Sequence, residues 1–147
     1  MTPDVNVLLA ASRSDHPHHR VALDWLSAAS AGASLGAGLR LIPLVVASFL
    51  RLATNPRVFP KDAMPIANAL AFIDALLVAP GVEIATPPGT EWPLLRRLCL
   101  DKKLRGNALP DAWLAAVVDK LGEHLVTFDA DFKNLLHRGQ LTVLQTA

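Results

Sequence analysis

The sequence holds one cysteine, Cys99. With no partner inside the chain, it excludes a disulfide framework, and its setting in LRRLCLDKK reads as a helix in which it serves as a small buried hydrophobe. An excess of either charge is also missing: 14 basic against 13 acidic residues leave a formal net charge of +1, too little to draw the protein to nucleic acid in bulk. Long apolar runs are absent as well. Stretches such as IPLVVASFL at 42–50 fall short of the roughly 20 residues that cross a bilayer. The first residues carry Asp4 rather than a basic region ahead of an apolar one. These absences predict a cytoplasmic, reducing compartment and no membrane partner. Repeats, low-complexity tracts and linkers are lacking too, so residues 1–147 are expected to form one domain.

What the chain does have is apolar residues, 52% of the total against 18% charged. At this length a domain buries about two-thirds of the surface its unfolded form exposes, and the surplus hints that part of the remaining surface is covered by another chain.

PDVNVLLAA at 3–11 is a short apolar stretch with Asp4 near its start, at the end of a first strand. HHRVALDWLSAAS at 18–30 places Val21, Leu23, Trp25 and Leu26 on a helical repeat, with Gly32 beyond to end it. A strand over Leu39–Pro43 and a helix over Leu44–Ala53 follow. Asp62 is read as the cap of a helix running to Ala79, which Pro80-Gly81 stops. Val82–Ala85 reads as a strand. Thr90 then caps a helix with Trp92, Leu95, Leu98 and Cys99 inward, ending near Arg105-Gly106. Pro110 suits the first turn of a helix over Asp111–Leu121 that Gly122 closes. Strands are expected at Glu123–Phe128 and Leu141–Leu144. Alternating strands and helices point to a central, mainly parallel sheet with helices on both faces, where ligands sit beyond the carboxyl ends of the strands.

Four acids stand where plain surface acid is not usually placed: Asp4 between apolar residues, Asp111 at the head of an apolar helix, and Asp129 and Asp131 at the end of LVTFDADF. Each has a structural explanation alone. Asp111 suits the helix dipole, worth about 0.3–1 kcal/mol, Asp4 suits a strand edge or the cap of a turn, and the last two suit an Asx turn. Brought to one rim they conflict, because like charges ~4 Å apart at an effective dielectric of ~20 repel by about 4 kcal/mol. Clustered carboxylates must then hold protons or bind a cation, and oxygen ligands without Cys or His select Mg²⁺ or Mn²⁺.

PDVNVLLAA, RGNALPDAWLAA and LVTFDADF, with FLRLATNPRVFP at 49–60, resemble in order and over nearly the whole chain the PIN-domain ribonucleases, specifically the VapC-type toxins of bacterial toxin–antitoxin pairs. The resemblance implies a three-layer α/β/α sandwich with a mainly parallel sheet. It further implies a Mg²⁺- or Mn²⁺-dependent endoribonuclease leaving 5′-phosphate and 3′-hydroxyl ends, a VapB-type antitoxin as partner, and a homodimer. Carried over by position, it makes Asp4, Asp111 and Asp129 the metal-binding acids and Asp131 the less uniform acid that follows. Asn6 and Thr127 match polar residues that orient carboxylates or bound water. Ser48 stands where many relatives carry a glutamate and supplies no charge.

Metal-binding acids repel RNA, so basic groups must hold its phosphates. Arg51, Arg105 with Asn107, and Lys133 are the candidates, beside Arg57, Lys102 and Lys103. Their plain reading is a solvated helix face or, for Arg51, an internal partner to a site carboxylate. His16, His18 and His19 are read as helix-start polarity rather than a zinc site, and Trp25, Trp92 and Trp113 as core or interface residues. Ser48 supports an alternative function, a PIN-like module that binds RNA or antitoxin without turnover. A phosphoryl-transfer enzyme using the D-x-D pair would place it after the first strand, not near the end.

Overall fold

A computed structural model describes residues 1–146. Five short strands pair only in parallel among the described residues: β1 (Thr2–Pro3), β4 (Leu125–Thr127) and β5 (Leu141–Val143) in the order β1-β4-β5, and β2 (Leu39–Leu41) with β3 (Val82–Ile84). The two sheets meet where the Arg40 amide donates to the Met1 carbonyl at 2.9 Å. Among the described residues six α-helices flank them: α1 (Val5–Ser12), α2 (His19–Gly32), α3 (Pro43–Ala53), α4 (Ile66–Leu77), α5 (Trp92–Asp101) and α6 (Ala108–Leu121). The result is the expected three-layer α/β/α arrangement.

The register places the acids. Thr2 and Pro3 lie opposite Leu125 and Val126, and the Asp4 amide donates to the Val126 carbonyl at 2.9 Å. Asp4 therefore follows directly on the C-terminal end of β1, while Asp129 stands two residues past the parallel end of β4.

The core runs between α1 (Val7, Leu8), α2 (Leu26), α3 (Phe49) and the strands (Leu39, Leu41, Leu125), all under 3% exposed. Helix α6 is buried on most of its circumference: Leu114, Val117 and Val118 face this core, whereas Ala112 and Ala116 meet Leu95 of α5. A helix clamped from two sides holds its first turn, and so Asp111, on a rigid base. Its end is fixed by Gly122, whose φ of 66° is a left-handed cap that suits glycine. Gly81 is required for a different reason: a Cβ there would lie 2.2 Å from the Ala33 carbonyl oxygen.

Several element boundaries depart from the sequence expectation. Asp62 caps nothing. Helix α4 starts at Ile66 behind Pro65, and the Asp62 carboxylate instead pairs with the Arg13 guanidinium at 2.6 Å. Arg13, 8% exposed, also donates to the Asp62 carbonyl at 3.2 Å and lies 3.7 Å over the Phe59 ring, so it ties the end of α1 to the 54–65 loop. Thr90 makes no cap either. Glu91 occupies that position, α5 ends at Asp101, and Trp92 is 63% exposed rather than inward. Gly32 does not lie beyond α2 as a cap: it is the helix's last residue, with a right-handed φ of −67°, and the chain runs on into a wider turn over Ala33–Ala37 broken at Gly36. Helix α6 begins at Ala108, before Pro110.

Arg13→Ala is expected to cost about 2–3 kcal/mol, because it strips a buried cation from its ring and carboxylate partners. Asp62→Ala, on an exposed partner, should cost less. Equal losses in urea unfolding would contradict this account of Arg13.

Candidate active site at the acidic rim

Asp4 caps α1, its Oδ1 accepting from the Val5 amide at 2.7 Å. Its other oxygen accepts from the Thr127 hydroxyl at 2.7 Å. Thr127 is fully buried, and its Oγ1 also accepts from Asn6 Nδ2 and from the Asp129 amide, both at 3.0 Å. Asn6 Oδ1 in turn accepts from the Phe128 amide at 3.2 Å. One hydroxyl thus couples the acid after β1 to the backbone that carries the acid after β4. Beyond it the Asp131 amide donates to Asp129 Oδ1 at 2.8 Å, closing a turn over Ala130–Asn134 that the buried Phe132 anchors.

The carboxylates line two spaces that meet at Asp111. On one side Asp111 lines a small recess with Asp4, Ser48 and Arg51. On the other it lines a larger depression of about 520 Å³ with Asp129, Asp131, Asn107 and Asn134. Asp4 is 5% exposed, Asp111 and Asp129 are half-buried, and Asp131 is exposed. None of the four makes an ion pair among the described residues.

Burial pushes the Asp111 carboxyl up to about 6, with the charges of Asp4, Asp129 and Asp131 adding to the rise. Asp4 is also raised, chiefly by burial and further by Asp129, against the lowering pull of its bonds to Thr127 and Val5. Both acids hold protons more tightly folded than unfolded. Their contribution to stability is therefore fully present below about pH 4, near their ordinary value of 3.8, and for Asp111 is lost as pH rises through about 6. The metal-free chain is expected to melt at a higher temperature at pH 5 than at pH 7, and Asp111→Asn to flatten that difference. A midpoint that rises between those values in wild type and variant alike would contradict the assignment.

Carboxylates without a cation partner, two of them raised chiefly by burial and further by acidic neighbours, fit a hard divalent cation. Among the described residues, however, no three His, Cys, Asp or Glu side chains stand as a ready-made metal cage. The same holds for the histidines. His18 stacks on Phe128 at 5.0 Å, His16 accepts from the His18 amide, and His19 bonds the Ala10 carbonyl.

The basic candidates divide. Arg51 faces the recess with Asp4, Asn107 lines the larger depression, and Ser48 stands in the recess without a charge. Arg105 is exposed in the turn before α6 and lines neither space, and Lys133 lies in separate depressions beyond Asn134. Sequence reasoning missed Phe132 and Asn134. An apolar residue three positions after Asp129 was the available signal for the first.

A family model described as the PIN domain matches residues 1–136. Ribonuclease VapC31 of Mycobacterium tuberculosis is 41% identical over 131 residues, covering 88% of each chain. From the same organism, Ribonuclease VapC25 is 40% identical over 129 residues, again 88% of each. Ribonuclease VapC37 is 33% identical over 129 residues, 88% of this chain and 87% of its own.

Proposed function

The chain belongs to the PIN domain family, among the VapC-type ribonucleases, and from that premise we propose that it is a Mg²⁺- or Mn²⁺-dependent endoribonuclease toxin of the cytoplasm. The observation that carries the reading is the set of four carboxylates, unpaired with any cation, at the ends of parallel strands β1 and β4 and the head of α6.

In this reading Asp4, Asp111 and Asp129 hold the ion, with Asp131 beside them. When bound, the ion lowers the pKa of water and offsets charge on the phosphoryl oxygens. The chain's own residues do the rest. Thr127, itself held by Asn6, and the Val5 amide fix the Asp4 carboxylate, and the less buried Asp111 and Asp129 would supply further oxygens to the ion. Phe132 holds the Asp129 turn against the core. Arg51, in the lining of the recess, and Asn107, in that of the larger depression, would meet phosphate oxygens, and Asp111, once deprotonated, would be available as a ligand above about pH 6. Ser48 leaves the site one charge short, which supports weaker ion binding and, as a second reading, a module that binds without turnover.

A VapB-type antitoxin and a second copy of the chain are the partners this reading brings. An apolar trough of about 610 Å³ lined by Leu44, Trp92, Leu100, Leu109 and Trp113 supports a protein partner, because it shares Leu44 and Pro110 with the recess that holds Asp4 and Asp111. A segment seated there would end at the carboxylates.

Incubation of the chain with total RNA tests the reading. Discrete cleavage with Mg²⁺ or Mn²⁺, abolished by chelator and by Asp4→Asn, is expected. Growth inhibition that persists undiminished in the Asp4→Asn variant would favour the module without turnover.

A further inference from the structure

Beyond Asn134 the surface changes sign. A depression of about 390 Å³ is lined by Arg97 of α5, Lys102 at the end of that helix, and Lys133 and His137 from the segment after β4. Its one acid, Asp119, accepts from Gln140 Nε2 at 2.9 Å. Arg97, Lys102 and Lys133 are exposed and make no ion pair among the described residues. Three cations from two separate parts of the chain therefore face one space that holds a single acid, and none of them is paired with it.

That space adjoins the acidic depression, since Asn134 and Leu135 line both. A strand of RNA passing these four carboxylates is repelled along its length except where a cation sits, so its affinity has to come from phosphates held away from them. We infer that Arg97, Lys102 and Lys133 form a phosphate-binding site for the RNA backbone several nucleotides away from the cleaved bond, reached across Asn134. The inference rests on the ribonuclease reading for its substrate, and it gives Lys133 a place at this remote site rather than in the cleft. Leu94 and Leu98, which also line the depression, offer apolar surface to a sugar or base face. This suits a nucleotide better than a bare anion.

The test compares the full chain with Arg97→Ser, Lys102→Ser, Lys133→Ser combined, all at exposed positions. Binding is followed without metal, using single-stranded RNAs of about 20 and about four nucleotides. The longer RNA is expected to bind the triple variant at least tenfold more weakly. The slope of log affinity against log salt should fall by about two, since each phosphate no longer neutralised by the protein takes ~0.7 from it. The short RNA should bind both proteins alike, and its cleavage with Mg²⁺ should be unchanged. Unaltered affinity and slope for the longer RNA would overturn the site, as would equal losses for both lengths. Displacement of the longer RNA by polyglutamate of matched charge would reassign the patch to acidic peptides. Failure of the ribonuclease reading looks different: wild type would bind the longer RNA through the patch yet cut nothing with Mg²⁺.

Discussion

Asp111→Asn is expected to lower RNA cleavage by ~10²–10³-fold while raising the melting temperature of the metal-free protein at pH 7.5 by a few degrees. The two effects share one cause. Burial and three neighbouring acids favour the neutral form of Asp111, so its ionised form is a liability to the empty fold. A negative charge in the first turn of α6 gains about 0.3–1 kcal/mol from the helix dipole. The carboxyl nevertheless rises to about 6, so repulsion and burial outweigh the dipole. Asparagine keeps the shape, removes the charge and cannot replace an anionic metal ligand. Because Asp111 is only half-buried, solvent screening trims the gain in stability to the modest value given. Thermal melts with chelator and cleavage rates with Mn²⁺ measure the two halves. Activity and stability lost together would mean that Asp111 serves the fold rather than the chemistry.

Thr127→Val should cost about 2–3 kcal/mol of stability and ~10–100-fold in cleavage, whereas Thr127→Ser should stay within a few-fold of wild type. The hydroxyl is fully buried and joins Asp4, Asn6 and the Asp129 amide. Valine fills the same volume but leaves Asp4 Oδ2 without its donor at a site 5% exposed, and a buried carboxylate oxygen without a partner is among the costly defects. Since the Thr127 bond lowers the Asp4 pKa, its loss should also move the acidic limb of the pH–rate profile upward. A valine variant that cleaves and titrates like the serine variant would show that the hydroxyl does not organise the rim.

The acids were legible because each breaks an apolar pattern: Asp4 before NVLLAA, Asp111 before AWLAAVV, and Asp129 after LVTF. Alternation of strand and helix then predicted a common rim. Helix starts were less legible. Asp62 and Thr90 have the chemistry of caps, but a buried guanidinium recruited Asp62, and Arg13 lies 49 residues away in sequence, beyond the reach of any local pattern. Trp92 fits an inward helical repeat and yet faces out, where it lines an apolar trough between α5 and the start of α6. The basic groups were hardest to place. Lysine and arginine on exposed faces carry no periodic signal, so the grouping of Arg97 and Lys102 with Lys133 appears only when α5 is set beside the turn that follows β4.

Titration of the full chain with Mn²⁺ at pH 7.5, beside Asp4→Asn, Asp111→Asn and Asp129→Asn, tests most directly whether the acids converge to share a cation. Wild type should bind Mn²⁺ with release of protons as the pH is lowered toward 6, and each variant should bind at least tenfold more weakly. Mn²⁺ affinity that is the same in all four proteins would contradict the account.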